Sequence, residues 1–421
     1  MKNPKRVAPR AIIDNLAIIG DHRHHNAKAQ SVTRFFTGKP LEGAGHDYVS
    51  TLQFLTSYNG STATFNAYRR ELERLLQWSW HIRKTSIHRL MREDIIEFIN
   101  FILNPPAEWI GTKNVARFII RDGERVWNPD WRPFVVTIPK AEFRAGILPD
   151  KKQYNPSQAS VRATFKVLSS FYDYLVQESF VTSNPVALIR QKSKFLRSEH
   201  NTAYVRRISD LQWDYVLETA ELMADDDPSE HERTLFIMTA LFVMYLRISE
   251  LVADERSAPV MSDFKKDRDG NWWFHVTGKG NKHRTVTVSD DMLKALKRYR
   301  TSRDLSPLPS STDASPVVPK TRGKGPVTSS RWIRRIVQGC FDRAYERMCV
   351  DGLKDDAEDL KQSTVHWLRH TGISTDVQHR PREHVRDDAG HATMATTDRY
   401  IESDQRERHA SGRSKRAKLF E

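Results

Sequence analysis

Between His366 and Tyr400 the chain reads HWLRHTGIST, then a polar link, then GHATMATTDRYI. His366 and Arg369 are three residues apart, a spacing that puts them on one face of a helix. His391 and Tyr400 stand nine apart at the far end, with Thr396 and Thr397 between them. Imidazoles, a guanidinium and a late phenol are groups that would grip a phosphodiester and attack it. Such chemistry needs more than this segment holds: a second arginine, an acid for the leaving group and a surface for a polyanion.

Composition agrees with a polyanionic partner. The chain has 421 residues, room for two or three domains, and carries a net charge of +14. A basic excess of this size points first to nucleic acid, although a merely solvated basic surface has the same arithmetic. Cys340 and Cys349, the two cysteines, make neither a disulfide framework nor a zinc knuckle, which fits a reducing interior. The start MKNPKRVAPRAIIDN lacks the apolar core of a signal peptide, and no apolar run approaches the roughly 20 residues of a membrane span. The expectation is a soluble, cytoplasmic, nucleoid-associated protein.

The elements that would position these groups follow in chain order. Residues 1–45 read as a basic, irregular arm, in which His22, His24 and His25 form the tract DHRHH without the recurring ligands of a zinc finger. From Ser61 the pattern is helical, with Phe65, Tyr68, Leu72, Leu75 and Leu76 on one face and Arg69, Arg70 and Arg74 on another, a candidate DNA-contacting surface. A second helix is expected at 92–104, closed by Pro105 and Pro106. Residues 105–157 read as a partly β insertion with a hairpin at Asp122-Gly123. Its Trp109, Trp127, Trp131 and Phe134 suit either base stacking or a local core. Helix resumes at 157–178 along Val161, Phe165, Leu168, Phe171 and Leu175, and the polar stretch 191–207 reads as a basic linker.

From residue 208 a second domain begins. HERTLFIMTALFVMYLRISELVAD reads as one long buried helix that delivers Arg247 near its end, with Glu250 three residues on. A buried guanidinium needs a partner. The plain reading is an Arg247–Glu250 ion pair; the functional one adds a phosphate to a guanidinium that the carboxylate holds. NWWFHVTGKGNKHRTVTV reads as a hairpin with Lys279 at its tip. Residues 302–328 form a Ser/Pro-rich loop, and the next helix carries Arg331, Arg334 and Arg335, suited to phosphates or simply to solvent. The HWLRH helix is expected to be capped by Ser363 or Thr364.

Three chemistries compete for this set. His366 and His370, four apart, resemble half of a zinc motif, but Trp367 stands where HExxH needs its glutamate and no third ligand accompanies the pair. Pure DNA binding accounts for charge and helices but leaves Arg247 and Tyr400 without a task. Phosphoryl transfer through a protein nucleophile uses all of them. Two arginines offset charge on a pentacoordinate phosphate, a base activates a tyrosine of ordinary pKa about 10, and a lysine protonates the leaving oxygen.

At this point the C-terminal half resembles the tyrosine recombinase, or phage integrase, family. YLRISEL is similar to its first box, which assigns Arg247 as a catalytic arginine and Glu250 as its supporting acid. GKGNKHR resembles its hairpin motif and gives Lys279; HWLRH matches its HxxRH box and gives His366 and Arg369; Gly390-His391 followed by Tyr400 completes the set in family order. The polar run REHVRDDA stands where the family has apolar residues before the GH, and residues 105–157 are longer than a simple connection.

The resemblance implies a mainly α fold with a small β component: a helical core-binding domain at 46–190 interrupted at about 105–157, a linker at 191–207, a mixed α/β catalytic domain at 208–402 and a basic tail at 403–421. It implies a site-specific recombinase that works without metal, ATP or other cofactor. Tyr400 attacks to form a 3′-phosphotyrosyl bond while Arg247, Arg369 and His391 hold the phosphate. His366 assists proton removal, Lys279 is the general acid, and His370 is structural. Partners would be double-stranded DNA with specific core sites, a homotetrameric synapse passing through a Holliday junction, and accessory bending or directionality proteins. The alternatives are a type IB topoisomerase-like enzyme and a non-catalytic architectural DNA binder.

Overall fold

The structure is a computed structural model that describes residues 8–19, 41–57, 62–189, 207–255, 257–278, 282–400 and 412–413. The chain divides into two compact units, Met1–His200 and Asn201–Glu421. The DHRHH tract, nearly all of the linker, Lys279 and, apart from Gly412 and Arg413, the basic tail lie outside the described residues.

The first unit is a helical core built from α1 (Leu16–Ile19), α2 (Ala44–Ser57), α3 (Thr62–Trp78), α4 (Arg92–Leu103), α5 (Lys140–Arg144) and α6 (Gln158–Gln177). The apolar stripes drive their packing. Phe65, Leu72, Leu75 and Leu76 of α3 and Val161, Phe165, Leu168, Phe171 and Leu175 of α6 are buried together. Ser157 caps α6 by accepting from the backbone N–H of Ser160. In the inserted region, β1 (Ile110–Gly111) pairs in parallel with β4 (Phe134–Val135), and β2 (Phe118–Arg121) pairs antiparallel with β3 (Glu124–Trp127). Asp122 and Gly123 both take positive φ, +52° and +79°, as a two-residue hairpin turn demands. Trp109, Trp131 and Phe134 are buried in this core rather than offered to bases.

Residues 8–15 are irregular in backbone but packed: the N–H groups of Ile12 and Ile13 donate to Glu73, and Ile13 and Ile19 are buried. On the basic face of α3, two of the three arginines are engaged within the protein. Arg74 turns inward, donates twice to the Pro133 carbonyl, pairs with Glu71 at 2.9 Å and lies over the Phe134 ring. Arg69 donates to the Asp14 carbonyl and to Asn66. The inserted segment supplies the Pro133 carbonyl that Arg74 takes, and the N-terminal segment supplies the Asp14 carbonyl that Arg69 takes. Arg70 pairs with Glu71 but keeps half of its side chain exposed.

The second unit packs α7 (Asp210–Asp226), α8 (Pro228–Val243), α9 (Asp290–Thr301), α10 (Ser330–Val350), α11 (Lys354–Gln362), α12 (Val365–Asp376), α13 (Arg382–Ala389) and α14 (Met394–Thr397) around a small sheet. The sheet is antiparallel, in the order β5 (Phe264–Lys266), β6 (Trp272–Thr277), β7 (His283–Thr287). A Ser209–Gln212 capping box opens α7, and Asp227 followed by Pro228 opens α8. The core joins α8 residues such as Phe236, Ile237 and Leu241 to Phe274 and Val286 of the sheet and Val337 and Phe341 of α10.

Candidate active site

The first box does not lie on a long helix. α8 stops at Val243, and Tyr245 takes a left-handed φ of +49°, unusual for a bulky residue. That conformation turns the Tyr245 carbonyl toward the Arg369 guanidinium, which donates to it. The strained residue is held by its own side chain: its buried hydroxyl donates to Asp376 and accepts from Arg380 at 2.9 Å. Arg247 therefore sits in extended backbone before a 3-10 turn at Ile248–Glu250. Its NH1 pairs with Glu250 at 3.0 Å, and its backbone N–H donates to the other carboxylate oxygen at 2.7 Å. Burial opposes ionisation of Glu250, but hydrogen bonds and charge from Arg284, with Arg247, hold its pKa below the usual range.

Arg369 comes from α12, whose N-terminal Thr364 occupies the cap position without a side-chain cap bond; Ser363 instead donates to Asp359. The helix approaches α8 so closely at Gly372 that a Cβ there would lie 2.2 Å from the Phe242 carbonyl oxygen. This contact sinks Arg369 to 6% exposure. Burial and the neighbouring Arg247 push its pKa down to about 10. Arg247 and Arg284 share one carboxylate, Glu250, and Arg369 feels the charges of all three groups, so the cluster carries the surplus positive charge that an anionic substrate would neutralise.

The polar run REHVRDDA forms α13 with Val385 and Ala389 in the core. Its buried Asp388 is satisfied by Arg380 at 2.6 Å and by the N–H and hydroxyl of Thr287, so the departure from apolar residues is compensated by ion pairing. Gly390 ends the helix with φ +63°, and His391 follows.

Tyr400 is 8% exposed and stacks on His391, with ring centroids 5.7 Å apart and planes 13° apart. His391 Nδ1 lies 2.9 Å from the Thr397 hydroxyl. The imidazole against the Tyr400 hydroxyl is His370, whose Nδ1 is 2.7 Å away. His366, one turn earlier, faces solvent with its ring 6.4 Å from that of His370. Burial first, and then nearby cations, push both His370 and His391 down to about 4, so both rings are neutral at pH 7. His370 was expected to be structural; its contact with the phenol came from the tertiary fold. Arg284 was equally unassigned, although it stands in the GKGNKHR motif.

Of the remaining candidates, Arg331, Arg334 and Arg335 are exposed on α10, and the positive charge of Arg334 is felt by His366. Among the described residues no three His, Cys, Asp or Glu side chains converge as a metal site would require. No helix among them is long and apolar enough to cross a membrane.

No family model matches the chain. Among curated proteins it is 24% identical over 253 residues to tyrosine recombinase XerC of Chlorobaculum parvum, covering 57% of this chain and 68% of that one. It is 25% identical over 268 residues to tyrosine recombinase XerC of Thermodesulfovibrio yellowstonii, covering 62% and 76%. A match to tyrosine recombinase XerD of Rickettsia bellii, 26% identical, spans only 34% of this chain and 44% of that protein. The fold is that of XerH site-specific recombinase bound to palindromic difH substrate in a post-cleavage complex, with a TM-score of 0.54, 15% identity and coverage of 98% of this chain and 99% of that one. In its fold and in the order of its arginine, histidine and tyrosine motifs, the chain is similar to the tyrosine recombinases.

Proposed function

We propose that the chain is a site-specific recombinase that cleaves and rejoins DNA through a 3′-phosphotyrosyl bond to Tyr400. The observation that carries the reading is the gathering of Arg247, Arg369 and His391 beside a buried tyrosine whose hydroxyl meets a neutral imidazole. The Tyr400 oxygen attacks the scissile phosphorus as its proton passes toward an imidazole, and the bond from phosphorus to the 5′ oxygen breaks. Arg247 and Arg369 offset the charge that grows on the non-bridging oxygens, in a site partly screened from water. His370 takes the proton-accepting role that the family resemblance gave to His366, because His370 is the ring in hydrogen-bond reach. Lys279 is the proposed acid that protonates the departing 5′ oxygen. Attack by a partner strand's 5′ hydroxyl on the phosphotyrosine reverses the step, so the number of phosphodiester bonds is conserved and ATP is not required.

The proposed substrate is duplex DNA with paired core sites, brought together in a tetramer and exchanged through a Holliday junction. Arg331, Arg334 and Arg335 are the proposed phosphate contacts of the second unit, and Arg70 of the first.

Covalent trapping tests the reading. Wild type and Tyr400→Phe are incubated with nicked candidate site DNA in EDTA without ATP and run on denaturing gels. An adduct formed by wild type and absent from Tyr400→Phe is expected. Absence of an adduct on DNA that the protein binds at specific sites would favour the architectural binder instead.

A further inference from the structure

Three arginines end on three successive backbone carbonyls at the C-terminus of α13. Arg284 Nε donates to Asp388 at 3.0 Å, Arg369 donates to Ala389 at 2.5 Å, and Arg247 donates to Gly390 at 3.4 Å. Carbonyls at a helix C-terminus lack intrahelical partners and carry the negative end of the helix dipole, so they are natural acceptors for cations. Two of the three arginines are the clamp residues already described. The third is on β7 and has no place in the proposed chemistry.

Arg284 is built into the protein rather than offered to a substrate. Its side chain is 11% exposed, and its two terminal nitrogens donate to the two oxygens of Glu250 at 2.7 and 2.9 Å. With Nε on Asp388, each of its nitrogens is engaged. The Glu250 carboxylate it grips is the one that holds the backbone and guanidinium of Arg247. A bidentate fork fixes the carboxylate plane in a way that a point charge cannot.

Two glycines from separate motifs are fitted around this side chain. A Cβ at Gly390 would lie 2.8 Å from Arg284 Cδ, and a Cβ at Gly278 would lie 3.2 Å from Glu250 Oε1 and 3.3 Å from Arg284 NH1. The glycine before His391 and the glycine that ends the β6 side of the hairpin motif both leave room for the same guanidinium–carboxylate pair. Thr287, three residues along β7, makes a second tie by donating to Asp388.

We propose that Arg284 is a positioning residue for DNA cleavage, which aims Arg247 through Glu250 and fixes the His391 turn through the Asp388 carbonyl. The proposal rests on the reading of Arg247 and His391 as phosphate-binding groups. It assigns Arg284 no contact with DNA.

The test is single-turnover cleavage of a nicked site substrate by the full chain, with wild type, Arg284→Lys and Arg284→Ala, each alone and combined with Glu250→Gln. DNA affinity and thermal midpoint are measured on the same samples. Arg284→Ala should cut about 10- to 100-fold more slowly, as losses of supporting residues generally do, with DNA affinity unchanged. Arg284→Lys should recover only part of the rate, because lysine lacks the fork. In the Glu250→Gln background the further loss from removing Arg284 should largely vanish, since one acts through the other. Wild-type cleavage by Arg284→Ala, or losses from Arg284 and Glu250 that multiply independently, would overturn the proposal. If the alanine variant does not fold, Arg284→Lys carries the same comparison. A wild-type protein that forms no Tyr400-dependent adduct refutes the recombinase chemistry itself, before any Arg284 variant is compared.

Discussion

His370 Nδ1 and the Tyr400 hydroxyl are 2.7 Å apart, thirty residues from one another in sequence. The ring is neutral at physiological pH because burial, His366 and Arg369 push its pKa down to about 4. A neutral imidazole carrying its proton on Nε2 can accept the phenolic proton. His370→Ala should therefore slow single-turnover cleavage by roughly 100-fold or more, the usual scale for losing a general base. The rate with wild type should stay level as pH falls from 7 to 5, because the folded-state pKa lies lower still. An acid limb centred on 6.5 in the measured pH–rate profile would remove His370 from this role.

The same depressed values make stability depend on pH. His370 and His391 in the second unit, and His81 and His88 in the first, fall to about 4 through burial foremost. In the unfolded chain these rings protonate near the ordinary value of about 6.5. Between the two values the unfolded state binds more protons, so stability is full above the upper value and is lost as pH falls toward the lower one. Urea midpoints at pH 7.5 and pH 5 should show the lower midpoint at pH 5, and a wild-type midpoint unaffected across that range would contradict the burial of these rings.

Gly372 is where α12 meets α8. Gly372→Ala forces a Cβ to within 2.2 Å of a backbone oxygen and should destabilise by about 1–3 kcal/mol, the range for overpacking. Gly339, mid-helix in α10 with nothing within 4 Å of its added Cβ, is the matched control. Gly339→Ala should stabilise by about 1 kcal/mol from helix propensity alone. Chemical denaturation of the two variants reads opposite signs if the close approach is real.

Arg74 and Arg334 separate structural from DNA-facing arginines. Arg74→Ala removes a buried partner of Glu71 and should lower the denaturation midpoint while leaving the salt dependence of DNA binding alone. Arg334→Ala should leave the midpoint alone and flatten the slope of log affinity against log salt by about one unit per lost phosphate contact. Titrations at several salt concentrations distinguish the two; an altered slope with Arg74→Ala would return α3 to the DNA-facing surface.

What the sequence determined by itself was the order and spacing of the chemical groups and the local elements. Period-3.6 stripes such as Val161 to Leu175 encode helices because burial acts on neighbouring turns, and Asp122-Gly123 encodes a hairpin because few other pairs tolerate two positive φ values. The ordered arginine, histidine and tyrosine boxes were legible for the same reason: they are contiguous short motifs. The tertiary structure decided the matters that depend on distant partners. Hydrophobicity continues past Val243, yet α8 stops there, because Tyr245 turns its carbonyl to Arg369 more than a hundred residues on. Arg74 reads as exposed until the Pro133 carbonyl is folded against it. Which histidine meets Tyr400, and that Arg284 shares Glu250 with Arg247, follow from the packing of α12, α13 and β7 around one another. A linear pattern records which groups are present; desolvation and hydrogen bonding between remote segments determine which of them touch.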